Sequence, residues 1–172
     1  VNSFGILYNP LSINKALEQI VDRKLYAEDD LFFSHGLWHS WMHHSDFSDS
    51  SSAECLRRIN SRLIQAFEYL ENADWLVITW GTAYVYSHME SGEVVGNCHK
   101  QPDKTFRRSM LNVETIVEEC LSVLKKCREV NPKLKVLLTV SPIRHAKDGM
   151  HGNQLSKATL LLAADKLCRT CA

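Results

Sequence analysis

The segment richest in groups able to do chemistry is Thr139-Val140-Ser141-Pro142-Ile143-Arg144-His145-Ala146-Lys147-Asp148-Gly149. An imidazole, a carboxylate and a guanidinium fall together here. His145 could bind substrate or join a polar network, and Arg144 could fork onto a carboxylate. The segment follows the apolar run Lys135 to Val140 and begins with Ser-Pro. Apolar runs of that length, closed by proline and followed by a helical pattern, read as buried parallel strands. Ligands of open α/β sheets bind just beyond the carboxyl ends of such strands. A charged surface loop or a structural ion-pair cluster accounts for the same residues without any chemistry.

A second concentration lies earlier, in His35, His39, His43 and His44. His39 and His43 have the i, i+4 spacing of zinc ligands on a helix. No Glu follows His39, and no third ligand is evident, so packing or substrate contact is the better reading. Trp38, Trp41, Trp80, Tyr84 and Tyr86 are suited to an aromatic wall against a sugar, with burial in the core as the alternative for Trp80. Cys168-x-x-Cys171 has the spacing of a redox or zinc half-site but no second CxxC to complete it.

Composition excludes several classes of partner. Twenty basic residues balance twenty acidic ones in 172 residues, so no charge footprint for nucleic acid or an anionic membrane is present. No run approaches the roughly 18 apolar residues of a membrane span. The opening Val-Asn-Ser-Phe-Gly has neither the basic nor the apolar region of a secretory signal. The six cysteines are therefore expected to be reduced, in a cytoplasmic protein.

The elements that must position these groups are legible in outline. Ser12 is expected to cap a helix over 13–24. Residues 30–48 read as an ordered loop with a short helix. Ser51 and Glu54 have capping-box spacing before a helix reaching about Glu71. Trp75 to Trp80 is a short apolar strand, and Tyr84 to Val95 reads as a hairpin about Ser91-Gly92. A long helix is expected over 105–130, stopped by Asn131-Pro132. A strand over 134–140 and a helix over 153–170 complete the chain. The order implies a right-handed parallel βαβ unit. Yet only two core strands are visible, where an α/β layer normally needs about four.

Several blocks together resemble the GSCFA-domain family. They are Phe4-Gly5-Ile6-Leu7-Tyr8-Asn9-Pro10-Leu11-Ser12-Ile13, His44-Ser45-Asp46-Phe47-Ser48, Thr79-Trp80-Gly81-Thr82-Ala83-Tyr84-Val85-Tyr86 and Asn97-Cys98-His99-Lys100-Gln101-Pro102. Ser141-Pro142-Ile143-Arg144-His145 and Asn153-Gln154-Leu155-Ser156-Lys157-Ala158 complete the set. The matches are in order and cover nearly the whole chain. The resemblance implies an SGNH-hydrolase-like α/β/α fold with a central parallel sheet, incomplete here, forming one partial domain over 1–172. It implies cleavage or transfer of small acyl esters, often on sugars, with no cofactor.

The same resemblance implies a nucleophilic Ser in a Gly-Ser-Cys-Phe-Ala motif after the first strand, and an Asp-x-x-His pair near the C-terminus. Neither is in this sequence. The two visible strands would be the third and fourth, so the chain is expected to be the middle of such a domain and inactive alone. It should also be poorly stable, with an unpaired edge on the third strand. Asp148-x-x-His151 copies the pair's spacing, but before the last helix rather than after a fifth strand. Acyl transfer also needs donors aimed at the oxyanion. Gly5 stands at the family's glycine position, where its N–H would serve the oxyanion or its flexibility a tight turn. Gly81-Thr82-Ala83-Tyr84 stands at the Gly-x-Asn-Asp position, with Ala83 replacing the asparagine. Thr82, or Asn97 or His99 brought back by the hairpin, could take over its role. Alternatively, Asn97-Cys98 merely closes the hairpin. The expected partner is a small-molecule or carbohydrate ester; the oligomeric state is left open.

Overall fold

The computed structural model describes residues 2–170. Its central feature is a parallel pair, β3 (Trp75–Trp80) and β7 (Lys135–Val140), in register from Trp75 opposite Lys135 to Trp80 opposite Val140. Lys135 donates its N–H to the Asp74 carbonyl and Ser141 donates its N–H to that of Trp80. Backbone groups alternate sides along a strand, so the pairing uses the even-numbered residues of β3. The N–H and C=O groups of Trp75, Val77 and Thr79 therefore point along the opposite, open edge. The fold is mixed α/β, as expected.

Side chains alternate too. Ile78 and Trp80 are buried in the core with Leu76, Val136, Leu138 and Val140 packed beside them. Trp75, Val77, Thr79, Leu137 and Thr139 are exposed on the other face, where the Thr79 and Thr139 hydroxyls bond each other at 2.8 Å. The sequence pattern predicts strands covered on both faces; only one face is covered in this chain.

Four helices enclose the covered side. Helix α1 (Pro10–Val21) has Asn9 as its N-cap and proline in its first turn. Ser12, the expected cap, is instead fully buried and donates its N–H to Asn9 Oδ1 at 2.8 Å. Proline suits the first helical position, which moves the start earlier than Ser12. Helix α2 (Ser52–Asn72) is capped by Ser51, which accepts from the Glu54 N–H, as the spacing predicts. Helix α3 (Val113–Val130) packs against α1 and against α4 (Gly149–Thr170). Ile116, Cys120, Cys127 and Leu160 in this layer are fully buried.

Two expectations need correction. Residues 106–112 are not helical: Phe106–Met110 forms β6, and Asn112 caps α3 by accepting from Thr115 N–H. Strand β6 pairs antiparallel with β4 (Tyr84–His88), which also pairs with β5 (Val94–Val95) across the expected hairpin. Residues 31–40 form a hairpin, β1 (Leu31–Ser34) and β2 (Leu37–Ser40). Its loop, His35-Gly36, has φ of 50° and 79°, the twist that favours a two-residue turn. The expected short helix is a single 3-10 turn, Ser45–Phe47.

Candidate functional site at the crest of the parallel pair

A cleft of about 410 Å³ runs along the open edge of β3. Residues 2–8 form its far wall, Leu17 and Ile20 of α1 contribute apolar surface, and Gly81, Ser141 and His145 line it at the carboxyl ends of β3 and β7. Three residues singled out from sequence, Gly5, Gly81 and His145, thus meet at one cavity.

Each is held by local chemistry. Gly5 has φ +85°, and its N–H donates to the Asn2 carbonyl at 3.1 Å, closing a turn. A Cβ at Gly5 would lie 2.3 Å from that of His44, so this close approach requires glycine. The N–H groups of Gly81 and Thr82 both donate to the Tyr8 carbonyl, at 2.7 and 3.0 Å. That fastens the cleft wall to the crest. The Tyr8 ring meets the His145 imidazole edge to face, with centroids 6.0 Å apart. His145 donates its backbone N–H to Asn153 Oδ1 at 3.1 Å, leaving the half-buried imidazole at the cleft. Ser141 Oγ accepts the Ile143 N–H at 3.3 Å as the chain turns out of β7.

The remaining predicted residues lie elsewhere or serve the scaffold. Thr82 Oγ1 accepts the Tyr84 N–H at 3.1 Å and bonds the Ser156 hydroxyl at 3.2 Å. Ala83 is fully buried, and its N–H donates to Ser156 Oγ at 2.8 Å. Arg144 is exposed. The Asp148 carboxylate, 2% exposed, is ion-paired with Arg108, whose guanidinium stacks 3.8 Å over Tyr84. His151 is exposed on α4, so the Asp148-x-x-His151 spacing forms no working pair.

Asn97 and His99 belong to a separate cluster behind the first hairpin. Asn97 Oδ1 accepts the N–H of His99 at 2.9 Å, closing a local turn just after β5. The His99 imidazole donates from Nε2 to the Ser40 carbonyl at 2.8 Å and lies 4.5 Å from the ring of His39. Phe32 and Trp41 stack at 3.6 Å beside them. His43, 1% exposed, stacks on Phe4 at 4.4 Å. Burial, reinforced by the nearby His99, lowers its pKa to about 3. His99 is shifted the same way, chiefly by burial. His43 and His99 are thereby held neutral within an aromatic core. Among the described residues, no group of three or more His, Cys, Asp or Glu side chains is placed to hold a metal ion. Nor are Trp38, Trp41, Trp80, Tyr84 and Tyr86 one wall: Trp80 is in the core, Trp41 stacks on Phe32, and Tyr84 carries Arg108. Cys168 is an exposed free thiol, whereas Cys171 lies outside the described residues.

Sequence reading assigned no role to Tyr8, Asn153, Ser156 or Lys157. Asn153, Ser156 and Lys157 are spaced i, i+3, i+4 on a helix otherwise rich in Leu and Ala. Polar groups on the inward stripe of such a helix are the signal that could have found them.

A mixed α/β protein with its cleft at the carboxyl ends of a parallel pair is thus the class that fold and site define. The chain belongs to the GSCFA family, whose model matches residues 1–172. No curated protein and no solved structure matches it. Among the described residues, no helix is long and apolar enough to cross a membrane.

Proposed function

We propose that this chain carries half of the active site of an SGNH-like ester hydrolase or acyltransferase acting on small acyl esters, with carbohydrate esters a natural substrate class. The observation that carries this reading is the cleft itself. It is apolar along its length, polar at the lip, and bordered by the open edge of β3 for the length of one strand. A further strand parallel to β3 would satisfy the groups of Trp75, Val77 and Thr79 and end beside Gly81, Tyr8 and His145. A serine just beyond that strand would stand at the lip. In this reading the nucleophile and the Asp-His pair come from polypeptide outside residues 1–172, while His145 contacts substrate.

One observation favours a second reading, a carbohydrate-binding or scaffold protein without turnover. Ala83 offers no side-chain donor, and its N–H is consumed by Ser156. The N–H groups of Gly5, Gly81 and Thr82 are also engaged. This chain therefore supplies no free backbone donor from those positions for an oxyanion.

A serine-directed fluorophosphonate separates the readings. Intact-mass analysis of the parent polypeptide should show one adduct, and the 172-residue chain none. A folded parent that stays unlabelled would exclude the serine-enzyme reading and favour the binding protein.

A further inference from the structure

The inward face of α4 is polar exactly where it passes the crest and apolar below it. Leu160, Ala163 and Leu167 are buried in the core. One and two turns earlier, the same stripe carries Asn153, Ser156 and Lys157, of which the first two are buried. Between them they reach two backbone segments, the turn at 81–83 and the loop at His145. Asn153 Oδ1 accepts from the His145 N–H, 3.1 Å away. Ser156 Oγ accepts from the Ala83 N–H, 2.8 Å away, and bonds the Thr82 hydroxyl. Lys157 Nζ donates to the Gly81 carbonyl. Gly152 lies on the same stripe, where an added Cβ would sit 3.2 Å from the Tyr84 hydroxyl.

The loop after β3 and the loop after β7 have no direct bond at the crest beyond Ser141 N–H to the Trp80 carbonyl. Helix α4 is what ties them together. The Gly81–Thr82 peptide is gripped from both sides, with its carbonyl on Lys157 and its N–H on the Tyr8 carbonyl. An ordinary helix would bury leucines here. Three polar side chains with backbone partners, two of them more than 70 positions away, instead fix the orientation of two peptide units and of the His145 backbone. Side-chain to backbone bonds of this kind, partly sheltered from water, rigidify their surroundings.

We infer that Asn153, Ser156 and Lys157 are positioning residues: α4 sets the relative placement of Gly81 and His145, and so the geometry of the cleft's lip. This rests on the ester-cleaving reading of that lip. Misplacement by an ångström costs about 100-fold in reactions that depend on such geometry.

The test is the fluorophosphonate labelling rate of the parent polypeptide, well below its melting temperature. Lys157→Met and Ser156→Ala should each slow labelling, towards the 100-fold loss expected of a misplaced lip, while Lys157→Arg recovers most of the rate. Leu160→Ala, a core truncation on the same helix, controls for stability and should label at the wild-type rate. On the 172-residue chain, Ser156→Ala should also speed amide exchange at Ala83, with the amides of β7 unchanged. Wild-type labelling rates in Lys157→Met and Ser156→Ala would overturn the inference and leave the ester reading intact. Equal slowing by Leu160→Ala would overturn it as well. An unlabelled, folded wild-type parent would overturn both.

Discussion

At the residue scale, the buried histidines tie stability to pH. His43 keeps Nδ1 on the Ser40 hydroxyl at 2.9 Å and its ring on Phe4. Burial favours its neutral form, so its pKa lies near 3 rather than 6.5. The unfolded chain therefore takes up the proton first as the pH falls. Stability from this group is complete above 6.5 and is lost progressively from there towards 3. Between pH 7 and pH 5 the loss from His43 alone is about 2 kcal/mol, and His99 adds in the same direction. Urea midpoints across that range should fall accordingly in the wild type. His43→Phe, which keeps the stack and removes the titration, should flatten the profile; an unchanged slope would mean that His43 is not held neutral. The sequence shows four histidines in ten residues, where packing or substrate contact reads better than a metal site but the partners are not legible. Their neighbours decide the matter. Phe4, Phe32 and Trp41 enclose rings that the sequence scatters over 30 to 60 positions, and no local spacing encodes that.

At the element scale, what was legible followed from strong local chemistry. Ser51 with Glu54, the stop at Asn131-Pro132, and the apolar runs 75–80 and 135–140 all specify their structure within a few residues. What was hidden depends on distant pairing. Phe106-Arg107-Arg108-Ser109-Met110 has no apolar alternation and adjoins a helix pattern; only β4 makes it a strand. His35-Gly36 is an unusual pair for a tight hairpin, and Asn9 is a better cap than Ser12 because proline follows it. The crest was legible in part. Gly81, His145 and Asp148 were found from the strand ends, but the pairing of Asp148 with Arg108 was not, since that partner lies 40 positions away. The open edge of β3 makes an element-scale prediction. Val77, 58% exposed, lies on this strand, whose second edge is open and invites association. Light scattering of the 172-residue chain should show mass rising with concentration, and Val77→Lys should suppress it with little change in melting temperature. A wild-type chain that stays monomeric at all concentrations would show that the edge is protected.

At the scale of the whole molecule, two groups among the exposed apolar side chains stand out. One is the outer face of the parallel pair, Trp75, Val77 and Leu137; the other is the outer stripe of α4, Leu155, Leu161 and Leu162. Isolated exposed leucines are ordinary, but contiguous faces of this kind mark surfaces made to be covered. The expectation of modest stability for the chain alone follows from them. The central claim, that the reacting acyl group sits at the crest of β3 and β7, is tested most directly by a fluorophosphonate carrying a nitroxide, attached to the isotope-labelled parent polypeptide. The account predicts that amide resonances of Gly5, Gly81 and His145 broaden strongly while those of Glu28–Asp30 stay sharp. Broadening centred on His39 and His99, with the crest unaffected, would contradict it.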